Sequence, residues 1–180
     1  MANADAPFGL RPANTPQGGL KQRRVTLTAG ATKIFKGDPV IAAAAGTYSI
    51  ATAGALLGGV VMAIYDADGV PAKFYPGDSS AGYTAVICDD PDQEFLVQED
   101  SGGGDLALAD RGLNCNLVAG AGDETTGVSK WELDSSTAAS TATLQCRIID
   151  ISETPDNAVG TNAVWRVRIN YHFDRQTTGV

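Results

Sequence analysis

The stretch Val164-Trp165-Arg166-Val167-Arg168-Ile169-Asn170-Tyr171-His172-Phe173 decides the fold class. Successive side chains of an extended strand point to opposite faces, so Trp165, Val167, Ile169, Tyr171 and Phe173 share one side. Val164, Arg166, Arg168, Asn170 and His172 share the other, which places His172 on a wet, arginine-bearing face. Residues 143–148 repeat the pattern, with Leu144, Cys146 and Ile148 opposed to Thr143, Gln145 and Arg147. The change of phase through Ile149, Asp150 and Ile151 predicts a bulge or a strand end there.

Strand periodicity extends over most of the chain. Val25 and Leu27 alternate with Arg24, Thr26 and Thr28, and residues 39–45 run into a turn at Gly46 before a short strand at 48–50. Residues 56–65 carry Val60, Val61 and Ile64 and read as a strand buried on both faces. Residues 73–75 end at Pro76-Gly77; residues 83–88 and 94–98 are two strands joined by the turn-forming Asp89-Asp90-Pro91-Asp92. After Gly102-Gly103-Gly104, residues 105–111 suit one short helical turn ending at Gly112. Strands follow at 114–118 and at 127–133, the latter carrying Trp131. About ten strands without intervening helices define an all-β chain, an antiparallel β-sandwich or barrel, with a jelly-roll arrangement open to it.

The first twenty residues differ from the rest. Pro7, Pro12, Pro16, Gly9, Gly18 and Gly19 disfavour both helix and central strand. Phe8 and Leu10 are apolar anchors within that segment. The organisation expected is an extended arm over residues 1–20 and a single β-rich domain over 21–180, a size suited to one core. Removing residues 2–20 is expected to leave a folded body.

The net charge of −8 is unevenly spread. Residues 1–36 carry Arg11, Lys21, Arg23, Arg24, Lys33 and Lys36 against Asp5 alone, whereas residues 37–134 hold sixteen acidic groups against Lys73, Arg111 and Lys130. An acidic body repels polyphosphate, so no nucleic-acid partner is expected; the basic leader can meet an acidic protein surface. No export signal is read at the start. The most apolar stretch, residues 50–65, is broken by Gly54, Gly58 and Gly59, so no membrane span is expected.

The residues offer little for catalysis. Cys88, Cys115 and Cys146 form no CxxC pair and His172 is the single histidine, so structural thiols are expected and no metal or cofactor. No GxSxG elbow occurs, and Gly102-Gly103-Gly104-Asp105 lacks the lysine of a phosphate loop. Asp89, Asp90, Asp92, Glu94, Glu99 and Asp100 crowd two strand ends, where a partner-facing acidic rim, a calcium site or a carboxylate pair are open readings.

Several segments together resemble a group of small head proteins of tailed phages. They are Ala6-Pro7-Phe8-Gly9-Leu10-Arg11-Pro12, Asp89-Asp90-Pro91-Asp92-Gln93-Glu94-Phe95 with Gln98-Glu99-Asp100, and Gly127-Val128-Ser129 leading to Glu132-Leu133-Asp134-Ser135-Ser136. Pro155-Asp156-Asn157, Gly160-Thr161-Asn162-Ala163 and the ending Ile169-Asn170-Tyr171-His172 with Thr177-Thr178-Gly179-Val180 are similar too. The resemblance implies a capsid decoration, or cement, subunit and no enzyme. Such a subunit binds the outside of the major capsid protein lattice in the virion after assembly in the host cytoplasm. A tail-tube or adhesin-like binding module is the alternative.

A cement subunit acts by covering apolar area, at about 25 cal/mol per Å². Phe8, Leu10 and Pro12 are the expected buried contacts with the capsid, and Arg11, Arg23 and Arg24 the expected partners of its carboxylates. Trp165, Tyr171 and Phe173 exceed the needs of one terminal strand and suggest a subunit seam. A homotrimer suits three-fold capsid positions better than a dimer.

Overall fold

The computed structural model describes residues 3–13, 18–30, 32–77 and 81–175. Among them the strands run β1 Arg11–Pro12, β2 Gln22–Thr26, β3 Pro39–Ala42, β4 Tyr48–Ile50, β5 Gly59–Tyr65, β6 Pro71–Ala72 and β7 Thr84–Cys88. They continue β8 Glu94–Gln98, β9 Asn114–Cys115, β10 Leu117–Val118, β11 Glu132–Leu133, β12 Cys146–Ile151 and β13 Val164–Ile169. Single 3-10 turns at Leu108–Asp110, Ser135–Thr137 and Phe173–Arg175 complete the described secondary structure. All strand pairs are antiparallel, and the chain is all-β with antiparallel sheets packed together.

Among the described residues one sheet has the order β1-β8-β13-β12-β9, a second the order β2-β7-β5-β3-β4 with β6 beside β5, and β10 and β11 pair as a separate two-stranded sheet. A parallel bridge between Leu27 and Tyr48 joins the far ends of the second sheet, so that it curls toward a small barrel. The alternation in β13 puts Trp165, Val167 and Ile169 in the core, opposite Ile151, Ile148 and Cys146 of β12. Its other face sets Arg168 opposite Glu94 of β8. Arg166 and Arg168 approach Glu94 at 3.5 and 3.6 Å, a cross-strand arrangement of opposite charge. The register of β12 shifts between Ile148 and Asp150, where the change of phase in the sequence lies.

The apolar residues gather in two clusters. The first unites Phe95, Val97, Leu117, Trp131, Leu133, Ile148 and Trp165; the second unites Val25, Leu27, Ile34, Val40, Ile64, Tyr75 and Ile87. β5 serves both, with Val60 in the first and Val61 in the second, as expected of a strand buried on both faces.

The leading segment is part of this body. Leu10 is 1% exposed within the first cluster, and β1 adds to the edge of β8 with Arg11 opposite Leu96 and Pro12 opposite Phe95. Proline is tolerated there because its missing N–H falls on an outer strand. The Leu10 N–H donates to the Gly37 carbonyl at 2.9 Å and the Ala13 N–H to that of Glu94 at 2.9 Å. Gly9 makes the approach: its φ is +71°, and a Cβ at that position would lie 2.4 Å from that of Ser129. The expectation that residues 21–180 form the body without residues 3–13 is therefore corrected. Asn14, Thr15, Pro16 and Gln17 lie outside the described residues, as do Thr177, Thr178, Gly179 and Val180.

Other sequence expectations shift for local reasons. The predicted helical turn at 105–111 contracts to Leu108–Asp110, and the strand at 127–133 to β11 and an isolated bridge at Val128. The predicted strand at 73–75 gives way to β6 at Pro71–Ala72, with Tyr75 bridging Ile34.

Candidate interaction surfaces

His172 and the acidic run bear directly on catalysis. β13 ends at Ile169, so strand parity no longer governs His172, and the expected exposed position is overturned: His172 is 0% exposed. Its neighbours Tyr171 and Phe173 bond the backbone of Leu57 from both sides. Its Nδ1 accepts from the Asp174 N–H at 3.0 Å, and burial holds the imidazole below its ordinary value. Cys88, Cys115 and Cys146 are free and buried, with Cys115 opposite Cys146 across β9 and β12. Burial pushes the Cys88 thiol up to about 11 and that of Cys146 to about 12, far from the thiolate a nucleophile needs.

The carboxylates are engaged by the chain's own donors. Asp89 takes Arg23 Nε at 3.0 Å, and Asp92 is paired with Arg175. Asp90 accepts from the Asp92 N–H, and Asp100 from the Ser135 N–H and hydroxyl. Glu99 Oε2 accepts from Trp165 Nε1 at 2.9 Å and from the Leu106 N–H at 3.1 Å. Its burial pushes the carboxyl up to about 7. Glu132 is likewise raised to about 7, by burial and then by the charges of Asp5 and Asp100. Among the described residues no three His, Cys, Asp or Glu side chains are grouped to hold a metal ion. Among the described residues no helix is long and apolar enough to cross a membrane.

A cleft of about 640 Å³ lies between Phe35, Ile50 and Trp131, with the Lys33–Glu124 ion pair at its side. Asp38 lines it and is raised to about 6 by burial, but its carboxylate holds the Phe35 N–H at 2.7 Å and the Ser129 side chain. That carboxyl staples a turn.

Two shallower grooves collect the basic residues singled out in the sequence. One, about 420 Å³, brings Phe8, Leu10, Arg11 and Pro12 together with Lys36 and Met62. Its floor is apolar, Arg11 stacks on Phe8 at 4.7 Å, and both Arg11 and Lys36 are exposed. Neither cation has a carboxylate within ion-pair distance among the described residues. The second groove, about 560 Å³, runs between β2 and the turn joining β3 to β4, beside Arg23 and Arg24. Lys36 and Met62 escaped the sequence reading because nothing in their spacing relates them to residues 8–12.

Two expected contacts are corrected here. Leu10 points into the chain's own core instead of toward a partner, since the arm folds back along β8. Trp165 is 0% exposed beside Glu99, so it fills this core and cannot form a subunit seam. Tyr171 and Phe173 are half-buried beyond the end of β13. Phe8 and Pro12 are half-buried, and Arg11, Arg23 and Arg24 exposed. Comparison with protein-family models, curated proteins and solved structures finds no match.

Proposed function

We propose that this chain is a virion structural subunit that decorates the outside of a major capsid protein lattice and stabilises it by non-covalent contact. The observation that carries the reading is the groove at Phe8, Arg11, Pro12, Lys36 and Met62, an apolar floor beside two uncompensated cations in a chain of net charge −8. An apolar segment bearing a carboxylate fits such a surface. Burial of its side chains supplies most of the affinity, and the cations select its charge. The resemblance of the leading and acidic segments to small phage head proteins supplies the identity of the partner. A homotrimer at a three-fold position multiplies each contact by symmetry.

Sedimentation of the purified protein with emptied phage heads tests the reading. Wild type pellets with heads at a fixed ratio, and the double variant Arg11→Glu/Lys36→Glu loses at least tenfold in affinity while its thermal midpoint stays. Wild-type protein left in the supernatant sinks the proposal. Electron microscopy of labelled virions separates head from tail, and decoration confined to tails assigns the chain to a tail-tube or adhesin-like module instead.

A further inference from the structure

We propose that the outer edge of β2 accepts an extended, acidic segment of a partner protein as an added strand. The proposal stands apart from the capsid reading, because it rests on a different surface and on backbone geometry. The Leu27 N–H donates to the Tyr83 carbonyl at 2.9 Å, which fixes the parity of the ladder between β2 and β7. Arg23 and Val25 therefore turn their backbone groups toward β7, while Gln22, Arg24 and Thr26 turn theirs outward. The outward row is already used where β4 runs parallel to this segment: the Thr28 N–H donates to the Tyr48 carbonyl at 2.8 Å, and the bridge between Leu27 and Tyr48 engages the Thr26 carbonyl with the Tyr48 N–H. Before that point the β3–β4 turn, with Ala43 and Gly46 at its ends, veers off and opens the groove. Arg24 then presents a donor and an acceptor, and Thr26 a donor, with no backbone partner among the described residues. An unpaired edge beside an open groove is the geometry that strand addition uses.

Charge selects the occupant. Arg23 is committed, its Nε to Asp89 at 3.0 Å and its Nη2 to the Tyr48 hydroxyl at 2.8 Å. Arg24 has no carboxylate partner among the described residues: it lies 4.6 Å over the Tyr65 ring, and its Nε donates to the Thr84 hydroxyl at 3.0 Å. A second copy of this edge would set arginine against arginine, which opposes self-pairing, whereas a glutamate or aspartate on the incoming strand meets Arg24. The wall at Ala42, Ala43 and Ala44 leaves room for side chains on the alternate positions.

The full chain is titrated with a blocked seven-residue peptide alternating glutamate and threonine, and with its lysine counterpart. The acidic peptide binds and slows amide exchange at Arg24 and Thr26; the lysine peptide does not bind. Thr26→Pro removes an outward N–H without touching the ladder to β7, and Arg24→Glu reverses the charge. Each weakens binding at least tenfold, and unchanged thermal midpoints show both variants folded. Should the proline variant fail to fold, Arg24→Glu and the exchange pattern decide. No binding at millimolar peptide, equal binding of both peptides, or unchanged exchange at Arg24 and Thr26 overturns the proposal. Concentration-dependent dimers abolished by Thr26→Pro would put a second copy on this edge and overturn the acidic partner.

Discussion

Glu99 shows how one buried carboxyl ties stability to pH. Its ordinary value is 4.5 and its folded value about 7, so between these the native state keeps a proton that the unfolded chain has released. Stability therefore falls as pH rises through that window and levels off above it. Asp38, raised to about 6, acts in the same direction. His172 acts oppositely below its ordinary value of 6.5, where the unfolded imidazole gains a proton that the buried one resists. Glu99→Gln isolates the first effect, since an amide oxygen still accepts from Trp165 Nε1. The variant should have a higher thermal midpoint than wild type at pH 8 and a smaller drop between pH 5 and pH 8. An unchanged drop would remove Glu99 as its source. The buried thiols give a second residue-scale expectation: Cys88, Cys115 and Cys146 should resist a thiol reagent at pH 8 and all react in denaturant.

At the scale of elements, β1 makes the leading segment part of the fold. Two residues paired to β8 and one leucine in the core do what a free arm cannot. Leu10→Ala should cost about 2–5 kcal/mol, as for other fully buried leucines, with a lowered urea midpoint as the readout. Deleting residues 3–13 should cost more and expose the edge of β8, so a soluble, equally stable truncation would contradict the packing described. The long strands β5, β8, β12 and β13 could be read from alternation because one or both faces are buried. β1 could not be, since proline and glycine argue locally against a strand and only the edge position removes the penalty. The strand expected at 127–133 shrank for the converse reason: its apolar residues, Trp131 among them, are buried by loop packing with little ladder pairing.

At the scale of the whole molecule, the acidic excess of residues 37–134 and the basic excess of residues 1–36 are folded against one another. Lys21 and Arg23 meet Asp89, while Arg11, Lys36 and Arg24 stay without carboxylate partners among the described residues. The cations left over mark the two grooves, so binding at both should weaken as salt rises, which titration at two ionic strengths checks. The sequence alone determined the all-β class, the doubly buried strand β5 and the phase change in β12, because each is written in side-chain alternation along a single strand. Only the tertiary structure decided that Leu10 and Trp165 face inward, that His172 is buried, and that Arg11 stands beside Lys36. Those outcomes depend on which strands become neighbours, and pairing between distant segments leaves no periodic trace along the chain.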